Sequence, residues 1–107
     1  MLYTLDEIGA RIAPIAQKYD ISAMYLFGSY ARGDATEDSD IDLLFPRQGS
    51  NIRGLMFGAL YDDLQIALGK KIDLVTEESL SDPEERKRSP WFIRNIMLER
   101  VAIYEQQ

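Results

Sequence analysis

Residues 26–44 read LFGSYARGDATEDSDIDLL, and this stretch decides the fold. Residues 22–27 are apolar and β-prone and run straight into Gly28-Ser29. That pattern predicts a strand ending at a glycine turn, with Tyr30, Ala31 and Arg32 opening a short helical turn. Residues 33–39 are polar and turn-rich. A second strand follows over 40–45 and stops before Pro46. With a period of two, Asp40 and Asp42 share one face of that strand while Ile41, Leu43 and Phe45 share the other. The apolar set must face a core, so the two aspartates stand side by side on the opposite face. Their charges repel unless a cation lies between them.

Working outward, Thr4 and Glu7 fit a capping box, and Leu5, Ile8, Ile12, Ile15 and Tyr19 recur at helical spacing, predicting a helix over 5–19. Pro14 predicts a kink or an early break in it. Downstream, a loop over 46–52 precedes a second helix over 53–68, with Leu55, Met56, Leu60, Leu64 and Leu68 on its apolar side. Gly69-Lys70 turns the chain into a strand over 71–76, where Ile72 and Leu74 share one face and Asp73 lies on the other. Residues 77–90 are charged and contain Pro83 and Pro90, so they read as a loop with at most one helical turn. A last helix over 91–104 carries Ile93, Ile96, Met97 and Arg100 at helical spacing, and its tail from 101 suits a short strand. The order describes one α+β domain over 1–107, a small mixed β-sheet flanked by helices.

If the second and third strands are neighbours, Asp73 becomes a third carboxylate beside Asp40 and Asp42. Three oxygen donors without imidazole or thiolate suit Mg²⁺ or Mn²⁺ rather than zinc. Composition agrees: the 107 residues include no His and no Cys. That excludes a Ser-His-Asp triad, a thiol nucleophile, a disulfide framework and a thiolate zinc site. The net charge of −6 argues against a broad basic nucleic-acid surface, and Arg86-Lys87-Arg88 is too short a run to supply one. The acidity is concentrated, since Asp34, Glu37, Asp38, Asp40 and Asp42 fall within nine residues holding no basic group. No basic N-terminal segment leads into a long apolar run, so the chain reads as soluble and cytoplasmic, with no membrane partner.

An Asp-x-Asp pair alone is most often an exposed pair on a half-solvated sheet. Gly28-Ser29 changes its weight. A strand that ends in glycine and serine and opens a helix presents backbone N–H groups and a hydroxyl to an anion. An anion cradle beside a divalent-cation site is what a nucleoside triphosphate requires.

Gly28-Ser29, ten residues, and Asp40-x-Asp42 resemble the signature of the nucleotidyltransferase superfamily related to DNA polymerase β. The fuller strings 26–35 and 38–44, the strand Lys71-Ile72-Asp73-Leu74-Val75 and the stretch 96–105 are similar to its minimal nucleotidyltransferases, so the likeness spans most of the chain. In bacteria and archaea these often accompany a HEPN-domain ribonuclease toxin as its antitoxin. The resemblance implies a polymerase-β-like nucleotidyltransferase fold. It implies that Gly28 and Ser29 hold the triphosphate of ATP, that Asp40 and Asp42 bind one or two Mg²⁺ ions, and that Asp73 is a third ligand and the base for the acceptor hydroxyl. It further implies transfer of AMP to a tyrosine of a cognate HEPN toxin, whose added negative charge would repel RNA.

Several residues keep two readings. Arg32 either contacts the phosphates or pairs with Asp34 or Asp38. Asp34, Glu37 and Asp38 read as solvated turn acids. Lys70 and Lys71 either supply positive potential or are ordinary edge lysines. Trp91, Phe92, Ile96 and Met97 read first as core packing and second as an anchor patch for a partner. Two other functions remain open: a catalytically weak antitoxin acting by binding, and nucleotidyl transfer to a small molecule or nucleic acid.

Overall fold

The structure, a computed structural model, describes residues 2–81 and 89–106. The Glu7 N–H donates to Thr4 Oγ1 at 3.1 Å and the Thr4 N–H donates to Glu7 Oε1 at 2.9 Å. This capping box opens α1, Leu5–Lys18, and holds the Glu7 carboxyl below its ordinary pKa. Pro14 does not end the helix early: α1 runs on to Lys18. Its missing N–H would have paired with the carbonyl of Ala10, and both residues are exposed, so water can serve that carbonyl. The buried stripe is Ile8, Ile12 and Ala16, while Leu5 is 37% exposed.

The remaining elements are β1 (Ala23–Phe27), α2 (Gly28–Arg32), β2 (Ile41–Phe45), α3 (Met56–Leu68), β3 (Ile72–Thr76), α4 (Glu77–Ser81), α5 (Pro90–Glu99) and β4 (Val101–Glu105). Helix α3 starts three residues later than the apolar pattern suggests, and Leu55, placed on its buried side by that pattern, is 95% exposed at the N-cap. The charged stretch 77–90 begins with α4 as its helical turn, and Ser89 caps α5 by accepting from the Phe92 N–H. The run Arg86-Lys87-Arg88 lies outside the described residues.

The four strands form one mixed sheet in the order β3-β2-β1-β4. Strand β1 pairs antiparallel with β2 and with β4, whereas β2 and β3 pair in parallel. A parallel pair needs a crossover, and α3 provides it. One face of the sheet packs Leu26, Ile41, Leu43 and Phe45 against α1 and α3. The other face packs Phe27, Leu44 and Val75 under Leu80 of α4 and Ile96 of α5. The aspartate side of β2 is therefore roofed beyond Asp42 rather than open to water along its length.

Helix α1 also reaches the edge strand. The register of β1 with β4 shifts between Met24 and Tyr25, and a Cβ placed on Gly9 would lie 2.7 Å from the Ile103 carbonyl oxygen. Glycine there lets the helix backbone approach the strand backbone closely.

Candidate active site

Strand β1 ends where β2 and β3 begin, because β2 runs antiparallel to β1 and parallel to β3. The registers Phe27↔Asp42 and Asp42↔Asp73 then place Gly28, Asp42 and Asp73 across three adjacent strands at one end of the sheet. Neighbouring strands lie about 4.8 Å apart, so the two carboxylates carry a like-charge cost that a bound cation would remove. Both are half-buried.

Asp40 lies one residue before β2 rather than inside it, as the expected strand over 40–45 would have it. The ladder starts with the Ile41 N–H donating to the Lys71 carbonyl at 3.1 Å, which leaves Asp40 exposed at the end of the connector. That connector is tied to itself: the Thr36 N–H donates to Ser39 Oγ at 2.8 Å and the Ser39 N–H to the Thr36 carbonyl at 3.1 Å. Asp34, Glu37 and Asp38 are exposed on it, as turn acids should be.

Gly28 takes φ +72°, in the left-handed region, and a Cβ there would overlap Asp42 Oδ2 and lie 3.1 Å from Asp42 Cγ. The turn backbone thus passes directly over the Asp42 carboxylate. Helix α2 begins without a side-chain cap from Phe27, and Gly33, at φ +84°, ends it by donating its N–H to the Ser29 carbonyl. Ser29, half-buried, follows Gly28 into that first turn.

Arg32 is engaged with acids: its Nε lies 3.3 Å from Asp34 and its Nη1 3.4 Å from Glu99 of α5. Asp34 first, and Glu99 after it, push the guanidinium above its ordinary pKa. The pairing with Asp34 was one of the two expected, but Asp38 is not the partner and Glu99 was not foreseen. No local signal could have shown it, because Glu99 stands 67 positions away. Lys70, expected either to supply positive potential or to be an ordinary edge lysine, donates to the Tyr30 hydroxyl and to the Glu37 carbonyl. The apolar stripe of α5 divides. Ile96 is buried at 2% exposure and Phe92 meets Phe27 edge to face, but Trp91 is 71% exposed and Met97 45%. Core packing, the first reading, fails for Trp91 and Met97 because the helix turns only one side to the sheet.

Asp40, Asp42 and Asp73 make an oxygen-only donor set at this end of the sheet, which fits Mg²⁺ by the chemistry of the donors. Among the described residues no three carboxylates stand close enough to enclose an ion by themselves. A Mg²⁺ ion asks for only one or two carboxylates and completes its shell with water and substrate phosphates.

A Methanocaldococcus jannaschii protein named for protein adenylyltransferase activity is 38% identical over 74 residues, covering 68% of this chain and 74% of its own. The protein adenylyltransferase MntA of Thermococcus cleftensis is 34% identical over 84 residues, covering 74% and 83%. The MNT antitoxin complex with the tri-AMPylated HEPN toxin of Shewanella oneidensis matches in fold, at a TM-score of 0.62 and 19% identity over 96% of this chain and 74% of that one. The model of the polymerase beta nucleotidyltransferase family matches residues 10–107. With its glycine-serine turn and aspartate strands at one end of a four-stranded mixed sheet, the chain belongs to the polymerase beta nucleotidyltransferase family.

Proposed function

We propose that this chain, as one minimal nucleotidyltransferase unit over 1–107, is a protein adenylyltransferase. It transfers AMP from ATP to a tyrosine of a cognate HEPN-domain toxin and so acts as that toxin's antitoxin, in the cytoplasm. The observation that carries the reading is the Gly28 turn passing over Asp42, whose register partner is Asp73. A backbone that can approach an anion and two adjacent carboxylates meet at one point, and triphosphate chemistry needs both.

Gly28 and Ser29 would seat the phosphates through backbone N–H groups and the serine hydroxyl. Arg32 could join them only by leaving Asp34 or Glu99. Asp40, Asp42 and Asp73 would hold Mg²⁺, one or two ions, which neutralises charge on the triphosphate and lowers the pKa of the attacking hydroxyl. Asp73 would take the proton of the tyrosine hydroxyl. The tyrosine oxygen bonds to the α-phosphorus as the bond to the β-phosphate oxygen breaks, and pyrophosphate leaves.

The relatives support protein as the acceptor by their names. Binding without catalysis is favoured by one observation, the exposure of Trp91 and Leu98 two turns apart on α5. A single experiment separates the two. The protein is incubated with Mg²⁺, labelled ATP and the HEPN protein, and tyrosine-bound AMP is read by mass spectrometry. Asp40→Asn combined with Asp42→Asn is expected to lower transfer by at least about 100-fold. Absence of transfer, with neutralisation surviving that double substitution, would establish masking instead. Transfer to added RNA or a small molecule would reassign the acceptor.

A further inference from the structure

Lys70 reaches out of the Gly69 turn to two segments at once. Its ammonium donates to the Tyr30 hydroxyl at 3.1 Å and to the Glu37 carbonyl at 2.9 Å, and lies 5.5 Å from the Tyr30 ring centroid. Tyr30 is 4% exposed and follows Ser29 on α2. Glu37 stands in the connector that delivers Asp40. Lys70 itself leads through Lys71 into β3, which delivers Asp73, and Lys71 accepts the first ladder bond of β2 from Ile41. One side chain therefore joins the three segments that carry Gly28-Ser29, Asp40 and Asp73.

We propose that Lys70 is a positioning residue of the nucleotidyl-transfer site, holding the phosphate turn and the connector in register with β3. The inference rests on the function proposed above and adds to it a residue outside the glycine-serine and aspartate signature. A lysine suits the task. Its ammonium is a compact charge with three donors on a flexible stem, so it can serve acceptors from different segments, where a planar guanidinium is bound to one fork geometry. The effect on the reaction is geometric, because a misplacement near 1 Å between reacting groups costs roughly 100-fold.

The full chain is compared as wild type, Lys70→Met, Lys70→Arg and Tyr30→Phe. Each is titrated with AMP-PNP in Mg²⁺, assayed for AMP transfer to the HEPN protein, and followed by amide hydrogen exchange. Lys70→Met is expected to remain folded while weakening AMP-PNP binding and raising the Mg²⁺ midpoint, each by about tenfold or more. Exchange should quicken in α2 and in residues 34–40, with β1 and α3 unchanged. Lys70→Arg should recover part of the affinity, and Tyr30→Phe should lose part of it.

A variant with a lower Tm but unchanged AMP-PNP affinity, Mg²⁺ midpoint and exchange in those two segments would make Lys70 an ordinary structural lysine. If Lys70→Met does not fold, Tyr30→Phe decides by the same readouts, since it removes only the hydroxyl acceptor. A wild type that binds AMP-PNP but transfers no AMP overturns the proposed function, while affinity and exchange still decide the role of Lys70. A wild type that neither binds AMP-PNP nor transfers AMP overturns both.

Discussion

At position 28 two demands coincide. The backbone sits at φ +72°, and the space a methyl group would take is filled by the Asp42 carboxylate. Gly28→Ala is expected to cost roughly 1–3 kcal/mol of stability through strain and overpacking. Because the displaced group is a proposed metal ligand, AMP transfer should fall by at least about 100-fold. Thermal melts and the transfer assay measure the two losses separately. Gly9 and Gly58 make a sharper pair. Both lie in helices, where alanine normally gains about 0.5–1 kcal/mol over glycine. Gly58 has nothing within 4 Å of its would-be Cβ, so Gly58→Ala should raise Tm. Gly9 has a backbone oxygen 2.7 Å away, so Gly9→Ala should lower Tm and cost about 1–3 kcal/mol in a denaturant titration.

Among the elements, α4 secures the loop after β2. Glu78 Oε1 accepts from the Arg47 N–H at 2.9 Å and Oε2 from the Gln48 N–H at 2.8 Å. Burial alone would raise the Glu78 pKa, but these backbone donors outweigh it and hold the carboxyl below 4.5. The sign follows from linkage. A depressed native pKa adds stability that is complete above the unfolded value and is lost as pH falls through the native one. The Tm gap between wild type and Glu78→Gln should therefore be present at pH 7 and smaller at an acid pH below the ordinary glutamate range. Equal gaps at both values would show that the carboxylate charge contributes nothing.

Much of this local order was legible in the chain. The Thr4–Glu7 box, the glycine-serine turn and the alternation of β2 and β3 are short-range patterns, and each appears near where its spacing placed it, except that β2 starts at Ile41 and leaves Asp40 outside the strand. The early break expected at Pro14 is absent because water can reach the carbonyl that loses its donor. What the chain could not show is contact at a distance. Gly28 read as an opening for an anion, and its nearest obstruction is Asp42. Lys70 kept two readings, a source of positive potential or an edge lysine, and neither could name its partners, because Tyr30 stands 40 positions away and Glu37 33. The neighbourhood of Asp42 and Asp73 depended on strand order, which alternation cannot supply.

Taken whole, the molecule is a sheet covered on both faces, with the smaller core under α4 and α5. That core hangs on few side chains, so Ile96→Ala should cost about 2–4 kcal/mol by leaving a cavity against Leu44 and Val75. Leu98, two residues on and 72% exposed, should be nearly neutral as alanine. Comparing the two by denaturant titration checks that α5 turns one side to the sheet and the other away from it. Equal costs would mean that the outer side is covered as well.

The place of β4 carries a consequence in time. It is the last strand in sequence, yet it pairs with the first, and α1 packs on it through Gly9. During vectorial synthesis β1 can pair with β2 early, across a short connector, but its opposite edge stays bare until Val101–Glu105 has been made. An unpaired apolar edge is a template for other chains. While the residues between β1 and β4 are made, the central strand is thus half-satisfied, and β4 ends that exposure while seating α1.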